Sequence, residues 1–351
     1  MLITTFGPPS AFTQWSMYLM RIMTDVTLRD VDYFAAPTIE ELRNAWASRT
    51  RQHVFYFSDC PEWAVVDVFQ RAGAPALVVC EDAADITGFI VRERSMTWPW
   101  AVRLTDQCLT AIADLFDDKR TLVIHRSQRL SFETFFRAIA DHFSIPLTNS
   151  DLVEILSRID ADHSLDPSMS METPLLSKWP HARREGYGLA DLATSRRPII
   201  EAIHAPLREI VRGRTVARHL WPRELFIPGG RPEEVLDKPI DLVGPARCIV
   251  YGPYLHLPRG TWRAQMNFTV DGNVSGNQIE IDVFQNEQTD RNTFPLPTAG
   301  RFAALATFTV HDPRDAIQIR LMLKEGAIEG VLDIDDVVVE RAGETGFTAV
   351  S

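Results

Sequence analysis

The residues best suited to chemistry lie near the start of the chain, in the stretch Gly7-Pro8-Pro9-Ser10-Ala11-Phe12-Thr13. The residues before it, 2–6, are apolar or β-branched and predict a buried strand. From Thr13 onward, Trp15, Leu19 and Met23 fall on one apolar stripe at helical spacing. A strand, a tight loop and a helix N-terminus together bind phosphate, because the first helical N–H groups have no partner and the helix dipole favours an anion.

Chemistry-bearing residues also follow three later apolar runs, at 53–57, 76–80 and 121–125. Asp59 follows the first of these runs, Glu81 the second and Arg126 the third. The runs alternate with helical patterns, which predicts an α/β fold with a parallel sheet and helices on both faces. Ligands of such sheets bind at the carboxyl ends of the strands, so we expect these residues to share one edge.

The loop after the first strand resembles the 5′-phosphosulfate loop of sulfotransferases, P-K-S-G-T-T-W. Pro8, Ser10 and Thr13 match, Trp15 stands one place late, and the segment Arg183-Arg184-Glu185-Gly186 resembles the family's R-K-G-x-x-G loop. The resemblance covers most of residues 1–225 and implies a P-loop-type domain that uses 3′-phosphoadenosine 5′-phosphosulfate. The implied cofactor-binding residues are Gly7, Pro9, Ser10, Ala11, Phe12, Thr13, Gln14, Arg183, Arg184 and Gly186. The alternative is an ordinary strand-to-helix turn without a ligand.

Asp59 stands where the family has the His of its K-T-H-L-P segment, before the same Pro. The resemblance therefore implies that Asp59 is the catalytic base, since a carboxylate within reach of a hydroxyl can accept its proton. The alternative is that Asp59 caps a helix that starts near Pro61.

Three positions that are cationic in the family carry other residues here, namely Pro9, Phe57 and Glu81. Glu81 at the position of the 3′-phosphate arginine should repel that phosphate. Arginines of neighbouring loops, such as Arg94 and Arg126, can compensate for the lost charge, or they can be solvated surface residues.

Beyond the Pro- and Gly-rich residues 226–234, apolar and polar residues alternate with period two. This pattern predicts an antiparallel β-sandwich over residues 235–343, a linker at 226–234 and a tail at 344–351. The segment that includes Tyr254, His256 and Trp262 resembles the entry of carbohydrate-binding modules, which implies that these side chains bind a saccharide. The alternative is that Trp262 and Tyr254 are core or interface residues. Asp271, Asn273, Asp333 and Asp335 could bind calcium, but Asp271 and Asn273 are equally well explained as turn residues, and we predict no metal site.

The net charge of −11 argues against a broad nucleic-acid surface. The four cysteines are scattered and predict reduced, partly buried thiols. With no signal peptide or apolar run long enough for a membrane span, we expect a cytoplasmic location.

The function implied by the two resemblances is sulfuryl transfer from 3′-phosphoadenosine 5′-phosphosulfate to a hydroxyl of a cell-surface or capsular saccharide. Two alternatives are a glycan-binding or assembly protein that keeps the fold without catalysis, and a transferase with a less phosphorylated donor.

Overall fold

The computed structural model describes residues 1–160, 164–183, 197–212, 214, 216–232 and 234–342. The chain divides into two compact units. The first is Met1–Ala193 with Ile210–Gly213, and the second is Thr194–Glu209 with Arg214–Ser351.

The first unit is built on a parallel sheet of five strands in the order β2-β3-β1-β4-β5. The strands are β1 (Leu2–Phe6), β2 (Val31–Ala35), β3 (His53–Ser58), β4 (Ala76–Cys80) and β5 (Thr121–His125). All four pairings are parallel, and β1, β3, β4 and β5 match the sequence prediction. The edge strand β2 was not predicted. The predicted α/β fold with a parallel sheet is confirmed.

Helices cover both faces of this sheet, as expected for strands that are buried on both sides. The helices of this unit are α1 (Ala11–Thr27), α2 (Ile39–Ala47), α3 (Trp63–Arg71), α4 (Ala83–Glu93), α5 (Trp98–Ala111), α6 (Phe132–Phe143), α7 (Asn149–Ile159) and α8 (Glu172–Lys178). Most of α9 (Arg197–Val211) belongs to the second unit. Alternate residues of β1 divide between two cores: Ile3 packs in the core that contains α1, α6 and α7, and Phe6 packs in the core that contains α2 and α3. The first core therefore anchors α1 directly against the middle of the sheet.

The second unit consists of two antiparallel sheets, one in the order β13-β10-β15-β6 with β8 on β15, the other in the order β12-β11-β14-β9-β7. The strands are β6 (Arg218–Pro222), β7 (Ile227–Pro228), β8 (Ile240–Asp241), β9 (Arg247–Leu255), β10 (Gly260–Asp271), β11 (Gln278–Gln285), β12 (Glu287–Pro295), β13 (Gly300–Val310), β14 (Ile317–Leu323) and β15 (Val331–Arg341). The predicted alternation holds, since the apolar residues of β10 and β11 are buried and form the core between the sheets. The predicted antiparallel β-sandwich is confirmed.

The sandwich begins earlier than the sequence suggested. β6 pairs with β15, and β7, which lies inside the expected linker at 226–234, pairs with β9. Gly229 donates its N–H to Ile249, and a Cβ at Gly229 would lie 2.0 Å from the carbonyl oxygen of Cys248. The Pro- and Gly-rich composition therefore reflects close packing against β9, and the expected division after residue 225 falls inside the paired strands.

Candidate functional site

The candidate site lies at the carboxyl edge of the parallel sheet, where β1 runs between β3 and β4. Phe6 is in register with Ser58 of β3 and with Val78 of β4. The loops after β1, β3, β4 and β5 therefore leave the sheet on the same side. These loops carry the α1 turn, Asp59, Glu81 and Arg126.

Hydroxyl groups build the turn that starts α1. Ser10 is the N-cap: its Oγ accepts a hydrogen bond from the Thr13 N–H at 3.0 Å and donates to Thr13 Oγ1 at 3.0 Å. Thr13 Oγ1 donates in turn to the carbonyl oxygen of Val79 at 3.4 Å. Both side chains are fully buried, so their first role is to shape the turn.

The turn runs so close to β4 that Gly7 has no room for a side chain. A Cβ at this position would lie 2.6 Å from the Val79 carbonyl oxygen and 2.7 Å from Thr13 Cγ2. Pro9, Ala11 and Phe12 are also buried, whereas Gln14 is half-buried. An anion at this turn would therefore meet main-chain N–H groups, with Gln14 as the adjacent side chain.

Glu81 places a carboxylate of the protein itself at the N-terminus of α1. Its Oε1 accepts a hydrogen bond from the Phe12 N–H at 3.4 Å, and the side chain is 1% exposed. The helix dipole favours a negative charge there. The N-terminus of α1, which would bind a phosphate, thus already faces the carboxylate of Glu81.

Arg126 neutralises Glu81 across the edge of the sheet. Its Nη1 lies 2.6 Å from Glu81 Oε2, and its other nitrogens donate to Glu172 and to the carbonyl oxygen of Ala182. Burial alone would lower the pKa of Arg126, but the bonds to Glu172 and Glu81 outweigh it and raise the pKa. Arg126 is therefore a permanently charged link between two carboxylates. Sequence reasoning missed Glu172 because it lies 46 residues from Arg126 and no local pattern joins them.

Asp59 is held by two side chains from different elements. Its Oδ2 accepts hydrogen bonds from Gln14 Nε2 of α1 at 2.6 Å and from an Arg94 Nη at 2.7 Å. The carboxylate is 30% exposed and so is open to solvent. The alternative capping role of Asp59 is wrong: α3 begins at Trp63 with Glu62 as N-cap and has no side-chain cap, because the chain runs two residues further before turning helical.

Of the other predicted cofactor residues, Arg183 is adjacent to Ala182, whose carbonyl oxygen accepts a hydrogen bond from Arg126. Arg183 ends a short 3₁₀ turn, Pro180–Arg183, whereas Arg184 and Gly186 lie outside the described residues.

Two of the three predicted saccharide-binding side chains are buried in the sandwich. Trp262 is fully buried and donates its indole N–H to the Pro258 carbonyl oxygen at 2.9 Å, so stacking on a sugar is wrong for this residue. His256 is 9% exposed. Tyr254 is half-buried, and its hydroxyl accepts a hydrogen bond from Gln318 at 2.7 Å. Burial keeps the side chains of Trp262 and His256 away from a saccharide at the surface. The period-two alternation of the sequence also puts Trp262 on the apolar face of its strand.

A polar row crosses the outer face of the sheet that contains β11 and β14. Arg291, Asp282, Arg320 and Tyr251 are in register on four neighbouring strands and therefore share this face. Arg320 binds Asp282 through two nitrogens, at 2.7 and 2.6 Å, and lies 4.8 Å above the ring of Phe284. In the sequence, this row corresponds to the polar residues that alternate with the apolar ones along these strands.

Three of the four possible calcium ligands have other partners. Asn273 is buried in the β10–β11 turn and donates to the Leu296 carbonyl oxygen at 2.7 Å. Asp333 pairs with Arg223 and Asp335 with Arg301, each at 2.6 Å. Among the residues that the structure describes, no three His, Cys, Asp or Glu side chains are grouped as a metal site would require. Likewise, no described helix has the length and apolar character to cross a membrane.

Comparison with known proteins finds similarity in solved structures alone. No protein-family model matches the chain, and no curated protein matches it. Mouse sulfotransferase SULT7A1 complexed with PAP is 11% identical, with 57% of this chain and 82% of that chain covered and a TM-score of 0.39.

Carbohydrate-binding modules are also among the matches. TmCBM61 in complex with β-1,4-galactotriose is 12% identical, covers 35% of this chain and 88% of that chain, and has a TM-score of 0.24. The N-terminal cellulose-binding domain of a Cellulomonas fimi β-1,4-glucanase C is 19% identical, covers 34% and 90%, and has a TM-score of 0.24. Both kinds of protein that the sequence resembles are thus among the matches, while the fold class itself rests on strand order and pairing.

Proposed function

We propose that the chain transfers a sulfuryl group from 3′-phosphoadenosine 5′-phosphosulfate to a hydroxyl of a cell-surface or capsular saccharide. One observation carries the proposal: the hydrogen bond of 2.6 Å from Gln14 Nε2 to Asp59 Oδ2 joins the α1 turn to the candidate base. A donor sulfuryl group at the turn and an acceptor hydroxyl at Asp59 would then be neighbours, which is the proximity that group transfer needs.

In this mechanism the acceptor oxygen attacks the sulfur, and the bond from sulfur to the bridging 5′-phosphate oxygen breaks. The nucleotide leaves as 3′-phosphoadenosine 5′-phosphate, and Asp59 takes the hydroxyl proton. Arg94, which lies 2.7 Å from Asp59, would supply a cation beside the transferred group. The main-chain N–H groups of the first turn of α1 would hold the phosphosulfate.

Glu81 must give way for the donor to reach these N–H groups, since it accepts the Phe12 N–H in the structure. Its release would also free one Arg126 nitrogen for the donor, while Glu172 keeps the guanidinium in place. We therefore expect the donor and Glu81 to compete for the same two partners.

The test of this binding mode is calorimetric titration with 3′-phosphoadenosine 5′-phosphate. Glu81→Gln should bind it more tightly than the native protein, because the competing negative charge is gone. Glu133→Gln makes the same charge change at an exposed pair with Arg137 and should leave the affinity unchanged. Equal affinity in both variants would place the nucleotide away from α1.

The test of catalysis uses radiolabelled 3′-phosphoadenosine 5′-phosphosulfate and a panel of polysaccharides. Asp59→Asn keeps the size of the side chain but removes the base, so transfer should fall by roughly 10²–10⁴ with the fold intact. Full transfer in Asp59→Asn on a confirmed acceptor would remove Asp59 from the chemistry.

A non-catalytic, glycan-binding protein is the second candidate, and the contact between Glu81 and the Phe12 N–H favours it. In that case the carboxylate permanently completes the turn, and no nucleotide binds in native or Glu81→Gln protein. The polar row on the sandwich would then carry the whole function.

For either candidate we propose that the saccharide binds the outer face defined by Tyr251, Tyr254, Gln318, Asp282 and Arg320. Aromatic rings next to paired hydrogen-bonding groups suit a sugar, which presents both apolar and hydroxyl surfaces. Affinity electrophoresis in polysaccharide gels tests this face: Tyr251→Ala should lose retardation. Arg301→Ala, at an exposed ion pair on the other sheet, should keep it.

A further inference from the structure

Two cysteines from different elements lie in contact beside the candidate site. The Sγ of Cys108, on α5, lies 3.6 Å from the Sγ of Cys60, which follows Asp59 in the loop after β3. Cys60 is half-buried, and Cys108 is fully buried. A disulfide bond is about 2.05 Å long, so the sulfurs would have to approach by only about 1.5 Å to form one.

The two thiols differ in acidity, and the difference suits them to react with each other. The hydrogen bond from the Cys108 thiol lowers the pKa of Cys60 to about 7, Arg94 adds to this effect, and burial opposes it. The pKa of Cys108 is raised, because it donates that bond and is buried. Cys60 is thus the thiolate that attacks, and Cys108 is the thiol that resolves.

The remaining two cysteines of the chain serve as internal comparisons. Cys80 is buried in β4, and burial raises its pKa above the usual range. Cys248 is half-buried like Cys60, and burial raises its pKa too. Cys248 is therefore partly exposed, as Cys60 is, but has a raised pKa, so partial exposure alone does not lower the pKa of a thiol in this protein.

We propose that Cys60 and Cys108 are a redox modification site that closes to an intramolecular disulfide when the protein meets a hydroperoxide. The Cys60 thiolate attacks the peroxide oxygen, the O–O bond breaks, and Cys60 becomes a sulfenic acid while the peroxide leaves as its alcohol or as water. The Cys108 thiol then attacks the Cys60 sulfur, the S–O bond breaks, and a second water leaves with the thiol proton. Two thiols are oxidised by two electrons and one hydroperoxide is reduced.

The disulfide would act on the loop that carries Asp59. It ties this loop covalently to α5, and it removes the thiolate charge that faces Arg94. Arg94 would then interact with the Asp59 carboxylate and no longer with a thiolate, and its 2.7 Å contact with Asp59 is already present. This inference rests on the sulfur pair and stands whether or not the chain transfers sulfuryl groups.

The experiment treats the reduced full-length protein with hydrogen peroxide, blocks free thiols with N-ethylmaleimide and measures the intact mass. We expect loss of two hydrogen atoms, two fewer blocked thiols and a cross-linked pair of peptides containing Cys60 and Cys108, all reversed by dithiothreitol. Cys248→Ser should behave like the native protein. Cys60→Ser should form no disulfide, and Cys108→Ala, with its fold checked by circular dichroism, should stop at a sulfenic acid that dimedone traps.

The rate of alkylation against pH gives a second, independent readout. In the native protein the reaction of Cys60 should rise with a midpoint near pH 7, since the thiolate forms above its pKa of about 7. In Cys108→Ala the midpoint should move upward because the hydrogen bond to the thiolate is lost. A cross-link that involves Cys80 or Cys248, a purely intermolecular disulfide, or oxidation of Cys60 that leaves Cys108 free would overturn the proposal.

Discussion

Two acidic side chains at the carboxyl edge of the parallel sheet are each held by an arginine from another element. Glu81 is 1% exposed beside Arg126, and Asp59 is 30% exposed beside Arg94. The difference in exposure predicts that the two pairs contribute differently to stability. A pair as exposed as Asp59 and Arg94 contributes little to stability. A buried pair is costly to break, because the remaining charge has lost both water and its partner.

Arg126→Met should therefore destabilise the protein by about 3–5 kcal/mol, because it leaves Glu81 charged and unpaired in the interior. Urea denaturation monitored in the first unit measures this loss. Arg137→Met is the matched control: its pair with Glu133 is more than 40% exposed on both sides, so we expect a loss of at most about 1 kcal/mol. Adding Glu81→Gln to Arg126→Met should restore part of the stability. Similar losses for both arginines would show that the buried pair contributes nothing special.

At the scale of the element, α1 is the helix on which the site depends. Ser10 caps its start, since the Ser10 hydroxyl accepts the Thr13 N–H and donates to the Thr13 hydroxyl. α6 repeats this arrangement with Ser131 and Thr134, at 3.2 Å to the N–H and 2.9 Å between the hydroxyls. The α1 cap is fully buried, whereas the α6 cap is partly exposed to water. The chain thus contains a matched pair of caps that differ in burial.

Ser131→Ala should cost about 1 kcal/mol, the usual loss of a serine cap. Ser10→Ala should cost more, by about 1–3 kcal/mol, because it also leaves buried polar groups of Thr13 without their partner and without water. Thermal unfolding of the two variants side by side measures the difference. Equal losses would mean that water reaches the α1 turn and that its burial is not maintained in solution.

Periodicity in the sequence predicted the elements whose residues face a single environment. The four apolar strands of the first sheet and the alternating strands β10, β11, β14 and β15 belong to this class. β2 (Val31–Ala35) was missed because it is a short edge strand with Asp32 among its apolar residues, so neither a continuous nor an alternating pattern develops. Ser131, the cap of α6, directly precedes a strong apolar stripe, which is a pattern that a sequence shows.

The contacts that define the candidate site were less predictable than the elements. Position at a strand end indicated Asp59, Glu81 and the α1 turn as neighbours, and the parallel sheet brings them to one edge. The sequence placed Arg126 at the same edge and Arg94 in a neighbouring loop, but it did not show which carboxylate each arginine binds, since they lie 35 residues from Asp59 and 45 from Glu81. The burial of Trp262 shows the same limit in the sandwich: a resemblance to saccharide-binding segments named the residue, but the side of the strand it occupies decided its role.

At the scale of the whole molecule, each unit has an apolar core of its own. The sandwich core includes residues that precede the predicted sandwich: Trp221, Leu225, Phe226 and Ile227 are all buried. β6 gives one sheet an edge strand on β15, and β7 pairs with β9 in the other. These residues therefore complete both sheets, and the unit as defined by its strands begins at Arg218.

A fragment of residues 197–342 should fold on its own, and one of residues 235–342 should not. The shorter fragment lacks β6 and β7 together with four buried apolar side chains. Burying each such side chain is worth about 1.5–3 kcal/mol, so their joint loss approaches the whole stability of an ordinary domain, about 5–15 kcal/mol. It also leaves β15 and β9 as unpaired edges, which favours aggregation. Circular dichroism and a cooperative thermal transition measure folding of each fragment.

Phe226→Ala in the longer fragment is the intermediate case and should lower its melting temperature without abolishing the transition. A soluble, cooperatively melting fragment of residues 235–342 would show that β6 and β7 are accessory strands and that the core closes without them.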